Sequence, residues 1–186
     1  GTYPVIFLSL AGVKEETYEG AFRSLCFELK YMVDNIRAEL DVDRFSEEEK
    51  AQLSGISWDM DETIAAKSLK LLTQLLYKYY GKKPIILLDE YDTPMQEAYF
   101  HGYWEQMAAF MRGFLNNTFK TNPLLEKALM TGITRIGRES MFSDMNHIDV
   151  ATITTHKYET AFGFTQKEVF AALDHVGLGK YKKQVV

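Results

Sequence analysis

Two adjacent carboxylic acids, Asp89 and Glu90, directly follow a run of four apolar residues, Ile85 to Leu88. A short, continuous apolar run is typical of a strand buried in a parallel sheet. Parallel α/β sheets bind their ligands beyond the carboxyl ends of the strands, so this pair is expected at a binding edge. Neighbouring side chains of a strand diverge, and the two carboxylates can therefore serve different groups.

The chemistry that suits such a pair is the handling of a magnesium-bound phosphate. Mg²⁺ prefers oxygen ligands and keeps several waters, so one or two carboxylates suffice to hold Mg–nucleotide. In that chemistry Asp89 orients the metal and Glu90 polarises the attacking water. The simpler alternative is that acidic residues follow a strand because loops are polar. Asp92 adds a third carboxylate, which either supports the site or caps the next turn.

A second segment, residues 129–140, combines hydroxyls, glycines and two arginines after another apolar stretch. Thr131, at the end of a neighbouring strand, can hydrogen-bond the γ-phosphate or the attacking water. Arg135 can stabilise charge that builds on a transferred phosphoryl group. The alternative interpretation is a glycine turn whose arginines face solvent and pair with Glu139 or Asp144.

The elements that must position these residues alternate between strand and helix. The predicted strands are residues 3–10, 84–88 and 150–155, with a further strand at the end of 124–131. The predicted helices are residues 17–40, 61–80, 102–121 and 165–175, with an insertion or mobile connection at 41–60 and a loop containing Pro94 before residue 102. This order predicts an α/β domain with a mainly parallel sheet.

Composition narrows the class of protein. The 186 residues are 46% hydrophobic, which suits one globular domain, and the net charge of −5 argues against direct nucleic-acid binding. The single cysteine, Cys26, excludes a disulfide framework and indicates a reducing cytoplasm. No apolar run approaches the roughly 20 residues that cross a bilayer, and residues 1–12 carry no basic leader, so neither membrane insertion nor a signal peptide is expected.

Other chemistry-bearing residues form weaker patterns. The four histidines are scattered without metal-ligand spacing. The aromatic cluster 99–104 can stack on a base or contact a partner, and core packing explains it equally well. A metal-dependent nuclease built on Asp89, Glu90 and Asp92 would need a nearby lysine, but Lys82 and Lys83 lie at the wrong end of the strand.

Three strings resemble the bacterial predicted AAA-ATPase, or AAA-ATPase-like, family. They are Leu-Asp-Glu-Tyr-Asp-Thr-Pro at 88–94, Thr-Gly-Ile-Thr-Arg-Ile-Gly-Arg-Glu-Ser at 131–140 and Phe-Gly-Phe-Thr at 162–165, and the resemblance spans about residues 3–173. It implies a P-loop NTPase-like, three-layer α/β/α fold with a mainly parallel sheet. It also implies Mg²⁺ and ATP as cofactors, and a regulatory switch for an attached C-terminal nuclease-like domain of the PD-(D/E)XK type.

The resemblance assigns roles to individual residues. Asp89 and Glu90 would be the Walker B pair, with Asp89 at the metal and Glu90 catalytic. Thr131 would lie near the sensor-1 position. Thr134 and Arg135 resemble a Thr/Arg sensor, in which Arg135 is catalytic and Thr134 contacts the nucleotide. Arg138 would be a second nucleotide-binding arginine.

The chain departs from the family pattern at one point. No Gly-x₄-Gly-Lys-Ser/Thr loop occurs in it, so the glycines, lysine and hydroxyl that cradle the phosphates are missing. We therefore interpret residues 1–186 as the part of an AAA-ATPase-like domain that follows the Walker A segment, without that segment's strand and helix. Such a chain is expected to be inactive alone. The alternative is a non-hydrolysing interaction or regulatory module built on a degenerate P-loop fold.

Overall fold

The computed structural model describes most of the chain, namely residues 2–120, 122–133, 148–152, 155–158, 161 and 163–185. Three candidate site residues, Thr134, Arg135 and Arg138, lie outside the described residues. The chain divides into two compact units, Gly1–Asn146 and His147–Val186.

The first unit is built on a parallel sheet, which is three-stranded within the described residues. Its strands are β1 (Val5–Ser9), β2 (Ile85–Asp89) and β3 (Lys127–Met130), in the order β1-β2-β3. Both strand pairs are parallel. The predicted α/β class with a parallel sheet is confirmed, and the arrangement is consistent with a P-loop-like α/β/α fold.

The two faces of the sheet differ in burial. Ile6 and Leu8 on β1, with Ile86 and Leu88 on β2, are almost fully buried. The intervening residues face the other way, and Phe7 remains 56% exposed. The apolar run of β2 therefore contributes half of its side chains to the core beneath the helices.

Two long helices follow the predicted pattern closely. Helix α1 (Tyr18–Ala38) is capped by Thr17, whose hydroxyl accepts a hydrogen bond from the Gly20 amide. Helix α3 (Glu62–Tyr80) is capped by Asp61, whose carboxylate accepts a hydrogen bond from the Ile64 amide. Helix α3 ends at Gly81, which has a φ of 65°, a left-handed conformation that suits glycine.

Residues 41–60, expected to be an insertion or a mobile connection, contain regular secondary structure. They contain a 3₁₀ turn at Val42–Arg44 and helix α2 (Glu47–Ser54), which opens with a Ser46–Glu49 capping box. The segment is held by spaced apolar anchors that are at most 5% exposed: Phe45, Leu53, Ile56 and Met60. Because these apolar residues are far apart in a polar sequence, they form no clear helical or strand periodicity, and the sequence pattern did not predict this structure.

Helix α4 (Thr93–His101) starts immediately after the turn that follows β2, where a loop was expected. Pro94 lies in its first turn, a position where proline is favourable because that amide needs no partner. Gly102 ends α4 with a φ of 82°. The predicted helix 102–121 appears as α5 (Trp104–Leu115) followed by a π-helical turn, Asn116–Lys120.

The second unit contains the predicted C-terminal helix as α6 (Gln166–His175), which opens with a capping box between Thr165 and Glu168. A 3₁₀ helix, Gly179–Gln184, follows. The strand predicted at 150–155 is not observed in the described part of that range, 150–152 and residue 155. Within the described ranges of both units, no helix has the length and apolar character needed to span a membrane.

Candidate functional site

Asp89 lies at the carboxyl end of the central strand β2, and both neighbouring strands present a hydroxyl to it. The Ser9 hydroxyl, paired with Asp89 in the β1–β2 register, donates to Asp89 Oδ2 at 3.3 Å. The Thr131 hydroxyl, just beyond β3, donates to Asp89 Oδ1 at 2.5 Å. The sheet thus positions one hydroxyl on each carboxylate oxygen.

Backbone hydrogen bonds fix the loops around this carboxylate. The Leu10 amide donates to the Asp89 carbonyl at 2.9 Å, and the Thr131 amide donates to the Leu88 carbonyl at 2.9 Å. The Tyr91 amide in turn donates to the Thr131 carbonyl at 3.1 Å. The three strand ends are therefore joined at the edge where parallel sheets bind ligands.

Glu90 projects from a different backbone conformation. Its φ of 51° lies in the left-handed region, and its side chain is exposed. The Thr93 hydroxyl donates to Glu90 Oε2 at 3.0 Å. Asp89 and Glu90 therefore have separate partners. Glu90 lies just beyond the strand in a left-handed conformation, so the alternation of strand side chains is not what makes the two carboxylates diverge.

Asp92 supports the turn from within the protein. It is 1% exposed, and its Oδ2 accepts a hydrogen bond from Gln96 Nε2 at 2.9 Å. It is the N-cap residue of α4, which was one of the two expected alternatives, but its side chain makes no capping hydrogen bond there. The other oxygen faces Gly132, where an added Cβ would lie 2.4 Å from Asp92 Oδ1.

The structure brings some of the predicted site residues together. Asp89 and Thr131 are in direct contact, and Glu90 follows Asp89 in sequence. Ser9 and Thr93 were not among the predicted site residues. Ser9 was recognisable in principle, because a hydroxyl near the end of the predicted first strand falls at the same sheet edge.

The donor set at this edge suits a hard cation, because carboxylate and hydroxyl oxygens are its preferred ligands. Among the described residues, no group of three or more His, Cys, Asp and Glu side chains could hold a metal by itself. Mg²⁺ bound with a nucleotide does not require such a group, since phosphates and waters supply most of its ligands. Asp89 therefore fits the role of a single protein carboxylate beside a Mg–nucleotide.

The aromatic cluster between α4 and α5 divides into anchored and exposed residues. The Tyr103 hydroxyl donates to the Glu15 carbonyl at 2.7 Å, and burial raises the pKa of Tyr103. Tyr99 and Phe100 are largely exposed. A cavity of about 590 Å³ is lined by Tyr99, Gly102, Tyr103, Trp104, Glu105 and Gln106. Core packing thus explains Tyr103 but not its two exposed neighbours.

A parallel α/β sheet with an aspartate at the carboxyl end of its central strand is consistent with the class of P-loop-like α/β/α proteins. Within that class, the chain belongs to the family described as Predicted AAA-ATPase, whose model matches residues 1–142. The matched range includes all six candidate site residues. No curated protein and no solved structure matches the chain.

Proposed function

We propose that this chain carries the acidic and sensor side of a Mg–ATP site in an ATPase-like domain. The observation that supports this proposal best is the environment of Asp89 at the ligand-binding edge of the sheet. Its carboxylate accepts one hydrogen bond from the hydroxyl of Ser9 and one from the hydroxyl of Thr131. Membership of the AAA-ATPase-like family supports nucleotide binding as the general activity.

In this proposal the residues have distinct roles. Asp89 holds the magnesium ion, which when bound neutralises phosphate charge. Glu90 orients and polarises the attacking water, and Arg135 stabilises charge on the transferred phosphoryl group. Thr131 contacts the nucleotide.

Thr134 and Arg138 are assigned to the nucleotide as well. The phosphate cradle must come from a Gly-Lys-Ser/Thr loop that this sequence does not contain. The chain alone is therefore expected to bind Mg–ATP weakly and not to hydrolyse it. In the full-length protein, which we place in the cytoplasm, the domain would act as a nucleotide switch for an attached nuclease-like domain.

A second candidate function is a non-hydrolysing regulatory module. Two observations favour it: the sequence has no phosphate loop, and both Asp89 oxygens already accept hydrogen bonds within the protein. A module of this kind would use the parallel sheet as a scaffold and would not turn over ATP.

The metal site can be tested on the chain itself with Mn²⁺–ATP, because paramagnetic Mn²⁺ broadens nearby NMR signals. The amides of Leu10 and Thr131, which adjoin Asp89, should lose intensity first. The amide of Ile85, at the opposite end of β2, should lose less. Broadening should disappear in Asp89→Asn and persist in Asp34→Asn, a matched change on the exposed surface of α1. Uniform broadening along β2, or broadening unaffected by Asp89→Asn, would contradict the proposed site.

Hydrolysis separates the two candidate functions. Full-length wild type is compared with Glu90→Gln for ATP turnover at saturating Mg–ATP. The ATPase proposal expects Glu90→Gln to lower kcat by about 10²-fold or more, the usual contribution of a positioned base. Asp89-dependent Mn²⁺–ATP binding without any turnover by the full-length wild type would favour the regulatory module.

A further inference from the structure

The backbone of Glu90 is held in an unfavourable conformation. Among the described residues, only Glu90 and Tyr158 combine a side chain with a positive φ. A Cβ in the left-handed region crowds the neighbouring carbonyl, so such a residue persists only where its surroundings hold it there. Glu90 is also the residue proposed to orient the attacking water, and what holds it therefore matters for function.

Thr93 holds Glu90 at two points. The Thr93 amide donates to the Glu90 carbonyl at 3.1 Å, which closes the turn between the two residues. The Thr93 hydroxyl donates to Glu90 Oε2 at 3.0 Å. One residue thus fixes both the backbone and the carboxylate of Glu90.

Thr93 is itself held in place by its buried position at the start of α4. It is 7% exposed and lies in the first turn of α4, followed by the buried residues Pro94 and Met95. A donor fixed by the core imposes a direction on the exposed carboxylate that it contacts. Thr118 bonds the carbonyl of Phe114, four residues earlier, but Thr93 is the first residue of α4 and has no preceding turn of its own helix to offer such a carbonyl.

We infer that Thr93 is a positioning residue for Glu90, and that its hydroxyl sets the direction in which the Glu90 carboxylate is presented to water. This inference rests on the proposed role of Glu90 in ATP hydrolysis. Thr93 does not touch the nucleotide in this scheme and acts only through Glu90. Its removal should therefore change turnover and not substrate affinity.

The substitutions that test this inference preserve shape. Thr93→Val keeps the β-branched side chain but removes the donor, whereas Thr93→Ser keeps the donor. Thr118→Val is the matched control, because it also removes a buried hydroxyl, which bonds a helix carbonyl away from Glu90. Urea unfolding verifies that each variant is folded before it is compared.

The first measurement is the set of Glu90 ¹³Cα, ¹³Cβ and carboxyl chemical shifts in the labelled chain. Thr93→Val should move the Glu90 shifts, and Thr93→Ser and Thr118→Val should leave them at the wild-type values. Unchanged Glu90 shifts in Thr93→Val would overturn the inference. Equal displacement in Thr118→Val would overturn it as well, because the effect would then not be specific to this donor.

The second measurement is ATP turnover by the full-length protein. Thr93→Val should lower kcat about tenfold with KM unchanged, Thr93→Ser should restore it, and Thr93→Val should add nothing to Glu90→Gln. A Thr93→Val variant that raised KM at unchanged kcat would overturn the inference. Absence of turnover in the wild type would contradict the hydrolytic function, while the chemical shifts would still decide whether Thr93 positions Glu90.

Discussion

The loop after β3 approaches the acidic turn after β2 so closely that Gly132 has no room for a side chain. A Cβ at Gly132 would lie 2.4 Å from Asp92 Oδ1 and 2.9 Å from Tyr91 Cε1. Asp92 cannot retreat easily, because it is buried and bonded to Gln96. The close approach keeps Thr131 beside Asp89, so the glycine shapes the site without contributing chemistry.

Replacement of Gly132 by alanine should therefore destabilise the first unit. Overpacking of this kind costs about 1–3 kcal/mol, and urea denaturation of the Gly132→Ala variant measures it. Gly113→Ala in α5 is the control, because a Cβ there meets nothing within 4 Å. An alanine inside a helix should stabilise it by about 0.5–1 kcal/mol. Equal effects of the two substitutions would show that space at Gly132 is not limiting.

The strain at Glu90 is a second property of a single residue, and a pair of substitutions isolates it. Glu90→Gly and Glu90→Ala both remove the carboxylate that accepts from the Thr93 hydroxyl, but only glycine adopts a φ of 51° without steric cost. The glycine variant should therefore be more stable than the alanine variant by about 1 kcal/mol. Equal free energies of unfolding would show that the backbone at Glu90 relaxes in solution.

At the scale of elements, helix α2 is attached to α3 through an exposed ion pair. Lys78 Nζ on α3 lies 2.7 Å from the Glu49 carboxylate, which also accepts from the Ser46 amide at 2.8 Å. The hydrogen bond from Lys78, followed by the one from the Ser46 backbone, lowers the pKa of Glu49. A lowered pKa in the folded state stabilises the protein above the unfolded-state pKa, and this stabilisation is lost as the pH falls through the folded-state value.

The pH dependence of unfolding should report this attachment. Glu49→Gln should lower the urea midpoint at neutral pH, and its difference from wild type should shrink as the pH falls below the ordinary glutamate pKa of about 4.3. The effect should be small, because the pair is exposed and screened by salt. Glu48→Gln, on the same exposed helix, is the control. A difference that stays constant with pH would exclude titration of Glu49 as the cause.

Individual elements also show what a sequence can and cannot predict. Strand β2 was predictable because four apolar residues in succession fit a buried strand. Helix α4 was missed because Pro94 suggested a loop, although proline is favourable in a first helical turn. Thr93 was missed for a deeper reason. Its contact depends on the positive φ of Glu90, which no residue type in the segment indicates.

At the scale of the whole molecule, topology determined how much of the site was predictable. Asp89 and Thr131 were predicted correctly as neighbours, because parallel strands bring their carboxyl ends to one edge. The contact of Ser9 with Asp89 depends on the exact register between strands that are far apart in sequence. A hydrophobic pattern identifies the face a residue occupies, but here it did not identify the partner across the sheet.

The single cysteine offers a probe of the stability of the first unit as a whole. Cys26 is buried in α1, and desolvation, followed by the charge of Asp59, raises the pKa of its thiol to about 11. The thiolate is the reactive form, so a disulfide reagent at pH 8 should label the native chain at least about a hundredfold more slowly than the urea-unfolded chain.

A core substitution tests whether this labelling requires the first unit to open. Leu29 lies one helical turn after Cys26 and is fully buried, so Leu29→Ala should cost about 2–5 kcal/mol. If cooperative opening exposes the thiol, the labelling rate should rise by the factor that corresponds to the measured loss of stability, since labelling of a transiently open state follows its population. An unchanged rate in a clearly destabilised Leu29→Ala variant would mean that Cys26 becomes accessible through local motion of α1. In that case the helix would move independently of the sheet that holds Asp89.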